Sequence, residues 1–237
     1  MEKDKMNINI LMFIYAIPAI LISLSFHEMA HAYTSYRLGD PTAKILGRLT
    51  MNPLKHLDPI GTLMLVVSMY SGFGFGWAKP VPINPSYYRD YRRGTAMVSI
   101  AGPLSNLLLA FIFSLPMALI AAESGLSPSE IYNSRYLILG QGISFRSVVF
   151  NISRIFYMIN IGLAIFNLLP IPPLDGSKIL GAVLPTRTYF NLMRYERFIG
   201  MGFLVLMILR PDILSTILSP FRLAVEMLFR LVGSLVI

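Results

Sequence analysis

The sequence predicts an all-α polytopic membrane protein, read as a single domain over residues 1–237. Three observations carry that expectation: a charge-poor composition, five apolar runs, and basic residues gathered between the runs. Of the 237 residues, 55% are hydrophobic and 14% are charged, whereas a soluble domain carries about 25% charged residues. Mean hydropathy is +0.63. No long polar stretch is left for a separate soluble module. The chain has no cysteine, which excludes disulfides, thiolate zinc ligands and a cysteine nucleophile. A formal net charge of +8 would suggest nucleic acid in a soluble protein. Here the positive-inside rule accounts for it, and no nucleic-acid partner is expected. The N-terminal "MEKDKMNIN" has mixed charge, and no small-residue cleavage site follows it. The first span is therefore expected to remain in the mature protein.

The apolar runs lie at about 8–33, 60–76, 94–122, 147–170 and 198–237. A span needs roughly 20 residues, which the first, third and fourth runs supply. The last is long enough for two spans, or for one span and an amphipathic segment with Arg222, Glu226 and Arg230. The second is short and ends in "SGFGFGWAKPVP", whose glycines suit a re-entrant loop or β-hairpin buried within protein. Loop charge points the same way. Residues 34–58 hold Arg37, Lys44, Arg48 and Lys55; 77–93 hold Lys79, Arg89, Arg92 and Arg93; 176–197 hold Lys178, Arg187, Arg194 and Arg197. The loop at 123–146 holds two Glu and two Arg. The three basic loops share one side only if 60–76 returns to the side it left. That side is assigned to the cytoplasm, with the N-terminus outside and the chain a multi-pass protein of the cell membrane. Trp77 and Lys79 mark the interface.

Within the first run stands "FHEMAH". His27 and His31 are four apart, which on a helix places them on one face, about 6 Å apart along the axis. Both imidazoles can reach one Zn²⁺, and Glu28 can take a proton from water at the open position. Two histidines can also merely line a packed interface. However, the chain has only three histidines, and two of them stand at ligand spacing around a glutamate. A catalytic zinc needs a third protein ligand and an open position. His56 and the carboxylates are the candidates. Asp175 in "IFNLLPIPPLDGSKIL" follows the fourth span, and Pro170, Pro172 and Pro173 break the helix before it. It is thus expected on an extended segment aimed inward. A plain Asp-Gly turn is its ordinary alternative. Topology favours the ligand reading, because the inner ends of the first and fourth spans lie at similar depth.

"HEMAH" together with "NLLPIPPLDG" resembles the site-2 proteases, the intramembrane zinc metalloproteases. The segments "RLGDPTAKILGRLTMNPLKHLDPIGT", "GFGFGWAKPVPINP" and "AGPLSNLLLA" resemble the short prokaryotic branch without PDZ or CBS modules. The resemblance covers residues 20–180. It implies a three-helix catalytic core with peripheral spans, the core extending over about 8–180 and the C-terminal spans over about 198–237. It implies one zinc held by His27, His31 and Asp175, and Glu28 as general base. It further implies cleavage in or near the transmembrane segment of single-span substrates within the lipid bilayer, such as anti-sigma or transcription-factor precursors. Asn106 matches a family asparagine that can bind an oxyanion or the substrate, and Asn167 one associated with the substrate strand. An interhelical hydrogen bond is the alternative for both. His56 is typical of the branch, either as an accessory near the zinc or as a plain loop histidine. A helical substrate must unwind before it is cut, and the glycine-rich loop at 72–85 can offer it a strand edge. The competing function is a metal- or proton-coupled transporter, for which intramembrane His and Asp are also ordinary. A degraded protease serving as a scaffold is a third reading, which the full set of ligands and base argues against.

Overall fold

In the computed structural model, the residues described are 2–70, 76–123 and 144–210, with isolated positions beyond 210. The mixed-charge loop and most of the C-terminal apolar run lie outside them. The described chain is helical: α1 (Glu2–Arg37), α2 (Thr42–Ile45), α3 (Pro59–Tyr70), α4 (Tyr91–Glu123), α5 (Phe145–Leu168), α6 (Asp175–Val183), α7 (Thr186–Arg194) and α8 (Glu196–Leu209). α4 and α5 are long and apolar enough to cross a membrane. α1 covers the first apolar run whole.

The chain divides into two compact units, one of residues 1–23, 106–166 and 205–237, the other of 24–105 and 167–204. In the first, Ala110 and Met117 of α4 pack against Phe150, Tyr157, Ile161 and Ile165 of α5. The rings of Phe113 and Phe156 stack at 4.1 Å. Beside this core, Ser23, Asn106 and Asn160 are buried and share hydrogen bonds: Asn106 Nδ2 donates to Asn160 Oδ1 at 2.8 Å, and Asn160 Nδ2 donates to Ser23 Oγ at 2.8 Å. In an apolar surround, polar groups that satisfy one another hold helices in register.

The second unit carries the chemistry. Its small apolar core joins Ala32 of α1, Ala43 of α2 and Val81. Buried Asp40, just past the end of α1, ties these pieces. It accepts from Ser35 Oγ, from Thr42 N and Oγ1, and from Asn84 N. Burial pushes its carboxyl pKa up, but the bonds from Thr42, Asn84 and Ser35 outweigh that and hold it below the usual carboxylate value. A depressed folded pKa contributes stability above the unfolded value, and that stability is lost as pH falls through the folded one. Asp40→Asn is therefore expected to lower the melting temperature at pH 7, with the gap to wild type closing below about pH 4, where the unfolded carboxyl protonates. Melting curves at both pH values check this; an equal gap at both would refute it.

The glycine-rich excursion turns back on itself. α3 has 12 residues, about 18 Å of helix against a hydrocarbon core of roughly 30 Å. Leu57 and Ala78 form an antiparallel bridge, and Lys79 N donates to His56 O at 2.8 Å. A side chain on Gly61 would overlap Trp77 O. The chain thus returns beside its point of departure, which fits the re-entrant expectation. Among the described residues it forms this single bridge, not a hairpin; residues 71–75 lie outside them.

α4 starts at Asp90, whose Oδ1 accepts from Arg92 N and Arg93 N, both at 3.0 Å, an N-terminal cap. Arg92 then reaches the far end of α6. Its Nε donates to Gly181 O at 2.6 Å, and an Nη donates to Leu184 O. A cation on these last carbonyls satisfies them and suits the helix dipole. The clamp fixes α6, the helix that begins with Asp175.

Candidate metal centre

α1 brings His27 and His31 to one face one turn apart, as their spacing requires. Both are buried. Their Nε2 atoms lie 3.0 Å apart, and Asp175 Oδ2 lies 3.2 Å from the first and 3.1 Å from the second. Among the described residues, these three are the group of His and carboxylate side chains that could hold a metal ion, with ligand atoms within 4.8 Å of one another.

The donor set fits zinc. His31 Nδ1–H donates to Val98 O at 2.7 Å, so in the neutral ring Nε2 carries a lone pair. A triangle of these edges places each donor about 1.8 Å from its centre. Zinc bonds of about 2.0–2.1 Å from all three donors to one ion are compatible with that spacing. Gly102 of α4 lies against both imidazoles. A side chain there would overlap His31 Nε2 and Cε1 and His27 Cε1. The two imidazoles fill the space that any other residue would take.

Asp175 is the first residue of α6, after an extended Leu174. The expected extended segment is confined to Leu174; residues 169–173 form bends and a turn, closed by Leu174 N donating to Ile171 O at 2.9 Å, and the ligand itself starts a helix. Gly176 is the reason that helix can begin so close to its neighbour. A side chain there would overlap the carbonyls of Leu168 and Leu169. While Oδ2 faces the histidines, Oδ1 lies 3.8 Å from Lys178 Nζ, one turn further along. Lys178 thus orients the carboxylate from its far side. Its side chain is 41% exposed, so screening discounts the effect. Groups that hold a ligand typically account for 10–100-fold in affinity; for Lys178→Met we expect about three- to tenfold weaker zinc binding, and less for Lys178→Arg. Competition with a chelating dye measures it, and unchanged affinity would exclude the orienting role.

Glu28 follows His27 on α1 and is half-buried. Its Oε2 accepts from Val81 N at 2.9 Å. Val81 lies in the loop segment 76–84, pinned by Arg48, which donates to Lys79 O at 2.7 Å and to Pro80 O, and by Asp40 through Asn84. Neither Val81 nor Gly102 was singled out from the sequence. Both stand in quoted segments, but a backbone N–H and a missing side chain leave no chemical signature there.

The remaining sequence candidates are not among the grouped ligands. Asn106 is engaged with Asn160 and, at 3.4 Å, with Ser23 O. His56 is buried in the loop before α3, its Nε2 donating to Thr50 O at 2.8 Å; it is not one of the grouped ligands. Asn167 stands half-buried in the last turn of α5.

A buried His-His-Asp set with a glutamate beside its first histidine defines a zinc hydrolase of the HExxH class. The chain belongs to peptidase family M50, the site-2 protease family, whose model matches residues 15–209. It is 38% identical over 195 residues to the "Putative zinc metalloprotease YwhC" of Bacillus subtilis, covering 82% of this chain and 79% of that one. It is 30% identical over 197 residues to the "Putative zinc metalloprotease Rip2" of Mycolicibacterium smegmatis, covering 83% and 66%. A third relative, "Putative zinc metalloprotease MJ0611" of Methanocaldococcus jannaschii, is 28% identical over 179 residues, 73% of each chain. No solved structure gives a significant match. The protein is a zinc-dependent protease of a membrane-associated family, and the transporter reading finds no support among these relatives.

Proposed function

We propose that the protein is an intramembrane endopeptidase that cuts single-span membrane proteins in or near their transmembrane segments. The observation that carries this is the convergence of His27, His31 and Asp175 next to Glu28, on a helix that otherwise reads as a span. His27 and His31 through Nε2, and Asp175 through Oδ2, would hold the zinc. When bound, zinc supplies the Lewis acidity that activates water and polarises the scissile carbonyl.

The protein's own groups do the rest. Val81 N–H fixes Glu28 Oε2, which leaves Oε1 to take a proton from the attacking water. The oxygen adds to the carbonyl carbon, the C–N bond breaks, and the proton passes from Glu28 to the leaving amine. The proposal assigns no step to Asn106, whose amide bonds to Asn160 and Ser23. A helical substrate hides its carbonyls in i to i−4 hydrogen bonds and must unwind first. The segment 76–84, which bonds Glu28 through Val81 N–H, would align the unwound strand. The three basic loops support a cytoplasmic-side site, with the N-terminus outside. His27 and His31 lie about 15 and 9 Å along the axis from Arg37 at the end of α1, near that inner end. Anti-sigma and transcription-factor precursors are the substrates the resemblance suggests.

The test is cleavage of a panel of single-span substrates by the purified protein in lipid vesicles, with cut sites read by mass spectrometry. Zinc-dependent cuts within or at the edge of the span are expected. Cuts only in soluble, unfolded regions would overturn the intramembrane assignment.

A further inference from the structure

A groove of about 530 Å³ lies on the second unit, away from the ligand atoms. Pro173, Met193, Met201 and Leu204 give it an apolar floor, and Arg194, Arg197 and Glu196 stand around it. The volume suits a small-molecule group rather than a peptide helix. Among the described residues, neither arginine is in an ion pair, and both are exposed. The flanks are unusual for a water-facing surface. Phe190 of α7, Tyr195 between the helices and Phe198 of α8 are 56%, 56% and 67% exposed. Exposed aromatics interleaved with Arg187, Arg194 and Arg197 form the pattern of a membrane interface, where rings and cations gather at headgroup level.

We propose that this groove binds the headgroup of an anionic glycerophospholipid. The two arginines would bind its phosphate as charge-assisted donors, and Met193, Met201 and Leu204 would take the start of an acyl chain. Glu196 leaves the groove a net charge of +1, the complement of a headgroup of net −1. A zwitterionic headgroup brings no such complement. The location matters because Pro173, in the floor, stands two residues before Asp175. A bound lipid would brace the segment from which the third ligand emerges. The site rests on the membrane-embedded reading of the protein but not on its peptidase chemistry.

The test is native mass spectrometry of the full chain in detergent, with phosphatidylglycerol and phosphatidylcholine of identical acyl chains. Wild type is expected to retain phosphatidylglycerol at least about fivefold over phosphatidylcholine, a preference set by charge near the interface. Arg194→Gln with Arg197→Gln should abolish the preference while zinc content is unchanged. Arg89→Gln with Arg93→Gln removes the same charge elsewhere and should leave it intact, as should Glu28→Gln. Equal retention of the two lipids by wild type, or equal loss in both arginine pairs, would overturn the site. A protein that needs no detergent and retains no lipid would overturn the membrane reading as well.

Discussion

Glu28→Gln is expected to reduce cleavage by at least about 100-fold, within the range attributed to general acid–base catalysis, while zinc stays bound at one ion per chain. The two halves of the expectation have separate causes. A carboxamide cannot take up the proton that the attacking water must lose. It can, however, keep its carbonyl oxygen on Val81 N–H, because glutamine has the length and shape of glutamate and the Val81 bond needs only an acceptor. The three ligand side chains are untouched. A 100-fold loss corresponds to about 2.7 kcal/mol of activation free energy. Turnover of a single-span substrate and zinc content by mass spectrometry on the same preparation check both halves. Cleavage within a fewfold of wild type would remove Glu28 from the mechanism. Loss of zinc would mean that Glu28 belongs to the ligand set.

Gly102→Ala is expected to lose zinc, and cleavage with it, through one methyl group. The added carbon would overlap both imidazoles at once. Neither can give way cheaply: His31 is held at its far nitrogen by Val98 O at 2.7 Å, and His27 packs edge-on against His31 with ring centroids 4.6 Å apart. Alanine is otherwise the better helix former by about 1 kcal/mol, so α4 itself should be as stable or more so. That separates the outcome from misfolding. Zinc content below about a tenth of wild type is expected from a clash of this kind, with unchanged helical circular dichroism. Full zinc loading of the Gly102→Ala variant would show that the close approach is not required.

The sequence was most informative where chemistry is local. His27 and His31 are one helical turn apart, and that spacing alone places both imidazoles on one face. The apolar runs anticipate α4 and α5 to within three residues at each end, and α1 extends past its run at both ends. The shortness and glycine content of 60–76, with charge parity, anticipate a segment that returns, and Leu57 does meet Ala78. The reading of Asp175 was less complete. Its prolines do break the helix, but a new helix begins on the ligand itself. Gly176 permits that start by lying against the carbonyls of Leu168 and Leu169, a contact between segments that no propensity reports.

Asn106 illustrates the same limit from the other side. A polar amide in an apolar helix looks alike whether it serves an oxyanion or a neighbouring helix. In the structure the amide bonds to Asn160 and Ser23, the interhelical pairing, and that pairing depends on which helix faces pack.

The sequence by itself determined the class of protein, the helix that carries the paired histidines and the glutamate proposed as the base, because each follows from residue type and from periodicity within one helix. Only the tertiary structure decided how the third ligand arrives, what wall presses on the histidines, and what holds the base. Asp175 lies 148 residues from His27, Gly102 acts by what it lacks, and Val81 acts through its backbone. None of these is a local property of the chain, because each exists only once separate helices and the segment around Val81 have packed together.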